Sequence, residues 1–137
     1  MTGSIGPLIT TIIPTYRRPF LLKRAIVSAV ERQGVDVRVS VFDNCSGDET
    51  ADVVNCMAQE YPQIRYHCHP CNIGGAANFE FGMRSVDTPF FSILSDDDYL
   101  LPGFYQQALD SLAEYPDAMF WAGITLSTDE HGVIWDA

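Results

Sequence analysis

Residues 8–13 are Leu-Ile-Thr-Thr-Ile-Ile, and Pro14 follows them directly. Nearly every side chain in this run is apolar or β-branched, which is typical of a strand buried on both faces of a parallel sheet. Pro19 then suits the first turn of a helix, and apolar residues recur at helical spacing until Gly34. The order of strand, loop and helix predicts the first unit of an α/β fold.

The same unit recurs along the chain. Further strands are predicted at 37–42, 64–68, 90–94 and 118–126, and further helices at 47–61, 75–86 and 102–116. Ser46 and Glu49 have the spacing of a capping box at the start of the helix over 47–61. Because strands alternate with helices, the crossovers are expected to be right-handed and the sheet mainly parallel. The predicted fold class is therefore an α/β three-layer sandwich, with helices on both faces of the sheet.

Length and charge narrow the class of protein. The chain has 137 residues, 47% of them apolar, and no Gly, Pro or Ser-rich linker, so one domain over residues 1–137 is expected. Its formal charge of −10 disfavours nucleic acid and anionic membranes as partners. The nearest approach to a basic patch, Arg17, Arg18, Lys23 and Arg24, is interpreted as the solvated rim of one helix.

The cellular compartment is inferred from two features that the sequence lacks, a secretory signal and a long apolar run. The first residues show no secretory signal pattern, and no 18 apolar residues follow one another, which favours a cytoplasmic protein without a transmembrane segment. Cys45, Cys56, Cys68 and Cys71 are too unevenly spaced for a disulfide framework in a chain with this much core, so reduced thiols are expected.

Polar residues are concentrated in the loops that follow the predicted strands. These loops contain Pro14, Thr15 and Tyr16, then Asp43 and Asn44, then Asn72, Gly74 and Gly75, and finally Asp96, Asp97 and Asp98. In an open parallel sheet such loops converge on one crevice. Three consecutive carboxylates repel one another unless a cation lies between them, and Mg²⁺ or Mn²⁺ suits oxygen ligands. The alternative is a solvated acidic turn in which Asp98 caps the following helix.

Other site chemistries fit the sequence less well. The stretch His67-Cys68-His69-Pro70-Cys71 holds zinc-type ligands, but strand alternation directs Cys68 away from both histidines. A redox Cys-x-x-Cys would also need a helix directly behind it. Residues 14–19 contain no glycine, which excludes a dinucleotide fingerprint. A phosphoacceptor domain would be expected to carry its aspartates chiefly after the first strand.

Four motifs occur in an order that is more specific than any one of them alone. They are Ile12-Ile13-Pro14-Thr15-Tyr16, Phe42-Asp43-Asn44-Cys45-Ser46, Asn72-Ile73-Gly74-Gly75 and Leu94-Ser95-Asp96-Asp97-Asp98. With these motifs the chain resembles family 2 glycosyltransferases, which have the GT-A fold. The resemblance extends from about Leu8 to Trp135.

The resemblance implies roles for the loop residues. Pro14, Thr15 and Tyr16 would border the nucleotide, and Asp43 and Asn44 would contact its base, typically uracil or another pyrimidine. Asn72 would lie near the base or the diphosphate, and Asn78 would support its loop. Two acids are common at the position of Asp43 and Asn44, and because the Asn44 amide can donate as well as accept, base identity stays open.

The same resemblance implies a metal site in the aspartate triplet. Asp97 is the first choice for the metal, Asp96 and Asp98 share the remaining roles, and one of these two would face the ribose. Ser95 stands where the family often has its leading acid, so the register is open by one residue.

The implied reaction is inverting transfer of a sugar from a nucleoside-diphosphate sugar, with a UDP-sugar as first guess, to a glycan or lipid-linked glycan. The general base would lie downstream, outside this chain, because Asp129 and Glu130 have the sequence of a hairpin turn. The chain would then be a fragment without the acceptor-binding half, and an exposed sheet edge would favour a homodimer. A non-catalytic nucleotide-sugar or metal-binding module is the alternative.

Overall fold

The computed structural model describes residues 8–31 and 33–136, and four parallel strands form its main sheet. The strands are β1 (Ile9–Thr15), β2 (Val37–Asp43), β3 (Ile64–Cys68) and β4 (Phe90–Ile93). Their order in the sheet is β3-β2-β1-β4, so the first two strands are central. The predicted parallel α/β sheet is confirmed.

Helices cover the sheet from two sides. They are α1 (Pro19–Val30), α2 (Thr50–Glu60), α3 (Gly75–Arg84) and α4 (Phe104–Glu114). Helices α1 and α2 contact each other and pack on one face, where Ile9 and Ile13 meet Leu22 and Ile26 of α1. Helix α3 packs on β1 and β2 from the other face, which makes the sandwich three-layered. None of the helices in the described residues is both long enough and apolar enough to span a membrane.

Tyr105 ties α4 to the centre of the sheet. Its side chain is buried, and its hydroxyl lies 2.5 Å from Thr11 Oγ1 in β1. A second contact of 3.4 Å joins the hydroxyl to Ser92 Oγ in β4, and burial raises the pKa of Tyr105. The phenol therefore remains a neutral hydrogen-bonding group inside the core.

We expect Tyr105→Phe to lower the free energy of unfolding by about 1 kcal/mol, the usual net contribution of one hydrogen bond. The loss is modest because Thr11 Oγ1 keeps a 3.0 Å contact with Ser92 Oγ. Urea unfolding measures the change. Tyr115→Phe is the control because that ring is 62% exposed, and an equal effect of both substitutions would contradict this account of Tyr105.

The predicted start of the second helix is wrong. Helix α2 begins at Thr50 rather than near residue 47, and no side-chain hydrogen bond of Glu49 caps it. Asp48 instead accepts hydrogen bonds from the Thr50 backbone N–H at 3.0 Å and from the Thr50 hydroxyl at 2.5 Å. Ser46 does not form the capping box because its Oγ accepts the Arg17 N–H at 2.8 Å, while its proton is donated to Asp43.

The predicted strand over 118–126 is also wrong. Most of this segment has no regular secondary structure, and Met119 and Ile124 are 96% and 90% exposed. A strand needs a neighbour for its backbone groups, and no strand in the described residues pairs with this segment. The short antiparallel pair β5 (Ser127–Thr128) and β6 (Ile134–Asp136) forms instead, around the predicted turn.

The expectation that helices cover both faces holds for the central strands and is wrong for β4. Strand β4 lies at an edge of the sheet, where Phe91 and Ile93 are 52% and 45% exposed. The sequence predicted a strand here, in a sheet covered on both faces, but pairing order, which depends on distant residues, places it at the edge. Its register with β1 nevertheless brings the aspartate triplet beside the end of β1.

Candidate functional site

The loops expected to converge do lie at one edge of the sheet. In register, Thr15 pairs with Asp43, and Asp43 pairs with Cys68, so three strands end side by side. Strand β4 ends next to β1, and the aspartate triplet begins three residues later. The carboxyl ends of parallel strands form the usual ligand crevice of an open α/β sheet.

The three aspartates have different environments. Asp96 is only 7% exposed, and its Oδ2 accepts a hydrogen bond of 2.8 Å from the Thr15 hydroxyl. Asp97 and Asp98 are exposed, and the Asp98 N–H donates to the Ser95 carbonyl at 3.2 Å in a tight turn. Asp96 is thus fixed to β1, whereas Asp97 and Asp98 are exposed to solvent.

Two arginines hold the triplet. Arg18 Nη1 lies 3.2 Å from Asp96 Oδ1 and 2.8 Å from Asp97 Oδ2. Arg24 Nη2 donates to the Asp97 carbonyl at 2.8 Å, and its guanidinium lies over the Tyr99 ring at 4.7 Å. Both arginines are exposed, as the predicted solvated rim requires, but their contacts with the triplet were not predicted. The helical spacing of the arginines does not indicate the Arg18 contacts, because these join residues almost eighty positions apart.

Asp43 organises the loop after β2. It is 2% exposed, and its Oδ1 accepts hydrogen bonds from the Ser46 N–H at 2.9 Å and from the Ser46 hydroxyl at 2.6 Å. Its Oδ2 accepts one of 2.6 Å from the Tyr66 hydroxyl. Burial and then this bond raise the pKa of Tyr66, so the phenol remains a donor. Three hydrogen bonds occupy most of the acceptor capacity of one carboxylate.

Asn44 joins the loops after β2 and β3. Its Nδ2 donates to Asn72 Oδ1 at 3.0 Å, and its Oδ1 accepts from the Ile73 N–H at 2.8 Å. Asn72 Oδ1 also accepts from the Gly74 N–H at 2.9 Å. A carboxylate at position 44 could not donate this hydrogen bond to Asn72, which is a structural reason for an amide at this position.

Asn78 supports these loops from α3. It is 2% exposed; its Nδ2 donates to the Phe42 carbonyl at 2.8 Å, and its Oδ1 lies 2.9 Å from His69 Nε2. The remaining predicted residues of the first loop differ in exposure: Pro14 is half-buried, whereas Tyr16 is exposed, with the Arg17 guanidinium 5.1 Å from its ring centre. All the sequence-predicted site residues therefore lie at this edge.

The histidine and cysteine stretch forms packing contacts. His67 and His69 meet edge-on at 4.7 Å between ring centres, and both pack on Phe81. Cys68 is a free thiol, and burial raises its pKa, which disfavours the thiolate that zinc or redox chemistry requires. Among residues 8–31 and 33–136 no group of three His, Cys, Asp or Glu side chains is arranged to hold a metal ion, and this includes the aspartate triplet.

The two downstream acids lie in a turn, as predicted. Asp129 Oδ1 accepts hydrogen bonds of 2.9 Å from the His131 and Val133 N–H groups between β5 and β6. Glu130 is exposed beside it. Asp129 therefore has a turn-forming role.

The protein is therefore an α/β protein with an open parallel sheet, and its buried aspartates and amides lie at the carboxyl edge, where ligands usually bind in this class. Residues 10–137 match the sequence model of the family described as Glycosyl transferase family 2, and the chain belongs to this family. The resemblance inferred from the four motifs is confirmed.

Relatives and solved structures agree with this membership. The chain is 32% identical over 98 residues to a GalNAc(5)-diNAcBac-PP-undecaprenol beta-1,3-glucosyltransferase of Campylobacter jejuni, covering 71% of this chain and 32% of the relative. It is 30% identical over 120 residues to the succinoglycan biosynthesis protein ExoW of Rhizobium meliloti, covering 85% and 38%. The chain spans about a third of the length of these relatives.

Two solved structures share the fold. Residues 1–349 of S. aureus TarS, in complex with UDP, superpose with a TM-score of 0.72 at 20% identity, covering 79% of this chain and 32% of that chain. A mannosyltransferase of Pyrobaculum calidifontis, in complex with GDP-Man and Mn²⁺, gives 0.70 at 22% identity, covering 80% and 33%. The fold is that of GT-A glycosyltransferases, as the sequence predicted.

Proposed function

We propose that this chain provides the nucleotide-sugar site of an inverting, metal-dependent glycosyltransferase that transfers a sugar to an acceptor hydroxyl. The observation that carries the proposal is the meeting of Asp96 and Asp97 at the end of β4, where Thr15 and Arg18 hold them. Family membership supports transfer chemistry, and one structural neighbour was solved with UDP and another with GDP-Man.

The donor set fits a hard divalent cation. One nitrogen, Arg18 Nη1, contacts oxygens of both Asp96 and Asp97, so the two carboxylates already converge on a single positive group. Mg²⁺ usually takes one or two protein carboxylates and completes its shell with water and substrate phosphates. We therefore propose Asp97 and Asp96 as ligands of Mg²⁺ or Mn²⁺, with Asp98, which is exposed beside them, as a further ligand or a ribose contact.

The chain's own groups would position the donor. The bound cation would neutralise charge on the departing diphosphate, which is worth several kcal/mol. Thr15 keeps Asp96 directed into the crevice, and the Asn44 and Asn72 amides hold two loops together. These loops, with Pro14 and Tyr16, would border the nucleotide, and preorganised polar groups of this kind are effective because they need no rearrangement during reaction.

The nucleotide base would be bound beside Asp43 and Asn44, and UDP is the first candidate for the nucleotide. Both side chains are nearly buried, and Asp43 already accepts three hydrogen bonds, so we propose that they shape the base pocket as well as border it. The acceptor would be a glycan or a lipid-linked glycan. The name of the Campylobacter jejuni relative, an undecaprenol-linked saccharide glucosyltransferase, supports the second class.

Calorimetric titration of UDP with and without Mn²⁺ tests the proposal. We expect Mn²⁺ to strengthen UDP binding and Asp97→Ala to weaken metal-dependent binding by at least about tenfold, as for the loss of a charged ligand. Asp110→Ala is the matched control, because this acid is exposed on α4 and accepts a hydrogen bond from Gln106, one turn earlier in the same helix. Failure of UDP, GDP and dTDP to bind in the presence of Mn²⁺ would contradict the proposal.

A hydrolysis assay then separates the enzyme from a non-catalytic binding module. Transfer of the sugar from a bound UDP-sugar to water releases UDP, and it requires a general base that activates the water. We expect Mn²⁺-dependent release of UDP from a longer chain that includes the downstream base, and none from the 137-residue chain alone. Tight binding without release by the longer chain would favour the non-catalytic alternative.

A further inference from the structure

Arg18 lies where the proposed metal would bind. It lies three residues after the end of β1, directly before the first turn of α1, and its side chain is 51% exposed. Its Nη1 lies between Asp96 Oδ1 and Asp97 Oδ2, at 3.2 and 2.8 Å. The side-chain exposure of Asp96 is only 9%, so this carboxylate has little access to water for compensating its charge.

The guanidinium and a divalent cation exclude each other at this point. Mg²⁺ lies about 2.1 Å from its oxygen ligands, so an ion that contacts both carboxylates occupies the space between them. Arg18 Nη1 is now in that space. Metal binding must therefore displace it from at least one carboxylate, and each cation competes with the other for the same negative charge.

A displaced Arg18 has a second partner nearby. Its side chain is half-exposed and is attached at the rim of the crevice in which the nucleotide would bind. A guanidinium binds phosphate through paired, charge-assisted hydrogen bonds. A diphosphate that is held by the metal would arrive within reach of the group that the metal has released.

We propose that Arg18 is an exchangeable counter-charge: it neutralises Asp96 and Asp97 in the empty site, yields them to the metal, and then binds the donor's diphosphate. This inference rests on the proposed function. It predicts that removal of the Arg18 charge raises the affinity for the metal and lowers the affinity for the nucleotide. If Arg18 only braced the triplet, its removal would lower both affinities.

The test is Arg18→Gln, studied in the 137-residue chain. We expect the affinity for Mn²⁺ alone to rise about fivefold, because a half-exposed ion pair that competes with the metal is lost. We expect the affinity for UDP at saturating Mn²⁺ to fall about tenfold, because a charged phosphate contact is lost. Mn²⁺ binding is measured from the electron paramagnetic resonance signal of the free ion, and UDP binding by calorimetry.

Three further substitutions control for charge and folding. Arg84→Gln removes one positive charge from the exposed surface of α3, where Arg84 pairs with Glu80, and should change neither affinity. Arg24→Gln removes a guanidinium that contacts the Asp97 carbonyl and the Tyr99 ring rather than a carboxylate of the triplet, and should change Mn²⁺ affinity less than Arg18→Gln. Arg18→Lys keeps the charge, so Mn²⁺ affinity should stay within about twofold while UDP affinity falls.

The outcomes separate this inference from the proposed function. If the folded parent chain binds neither Mn²⁺ nor UDP, the proposed function fails and the inference fails with it. If the parent binds both and Arg18→Gln lowers both affinities, or leaves Mn²⁺ affinity unchanged, Arg18 only braces the triplet and the exchange is overturned. Should circular dichroism show that Arg18→Gln is misfolded, Arg18→Lys decides: unchanged UDP affinity in that variant overturns the diphosphate contact.

Discussion

Asp43→Ala should lower the free energy of unfolding by about 3 kcal/mol, because it leaves several buried donors without an acceptor. The Ser46 N–H, the Ser46 hydroxyl and the Tyr66 hydroxyl all donate to Asp43, whose side chain is almost fully buried. The Ser46 hydroxyl also accepts the Arg17 N–H at 2.8 Å, so the loop after β1 loses its anchor too. We expect UDP binding to disappear even where the variant remains folded.

Urea unfolding and calorimetry at a temperature where the variant is folded measure the two effects of Asp43→Ala. Asp52→Ala is the matched control, because Asp52 is an exposed acid in the first turn of α2 and should cost only a few tenths of a kcal/mol. Asp43→Asn retains one oxygen acceptor, so its free energy of unfolding should lie between those of Asp43→Ala and Asp52→Ala. Equal stability of Asp43→Ala and Asp52→Ala would show that the buried network contributes nothing.

Much of the fold was predictable because its signals are local. The buried runs that became β1 and β2 are continuous in sequence, and the intervening helix α1 has apolar residues at regular spacing. The loops after the strands were predicted to converge because parallel strands end at the same edge, whatever their order. Placing Thr15, Asp43 and Asp96 at one edge therefore required only the strand assignments.

What the sequence did not predict depends on contacts between distant residues. The Arg18 contacts with Asp96 and Asp97 exist because β4 pairs with β1, and the spacing of the arginines in the sequence does not indicate that pairing. The segment over 118–126 has a strand-like composition, but a strand needs a partner, and composition does not supply one. The error in the predicted capping box has the same origin, because the Ser46 oxygen accepts the N–H of Arg17, 29 positions away in the sequence.

The packing of α3 against the sheet leads to the second large effect, at Gly82. A Cβ at this position would lie 2.7 Å from Ile12 Cγ2 and 3.1 Å from Phe42 Cδ2, closer than packed carbons approach. We expect Gly82→Ala to lower the free energy of unfolding by about 2 kcal/mol, because the overlap outweighs the roughly 1 kcal/mol that Ala gains over Gly in a helix. Urea unfolding measures this change.

Gly75→Ala is the control in the same helix, since a Cβ there meets nothing within 4 Å and should be neutral or slightly stabilising. Helix α3 also carries Asn78, which holds the Phe42 carbonyl and His69, so an outward shift of α3 would disturb the loops after β2 and β3. Gly82→Ala should therefore weaken UDP binding without touching the crevice. A destabilised variant with unchanged UDP affinity would mean that these loops keep their shape without α3, and that Asn44 and Asn72 hold them alone.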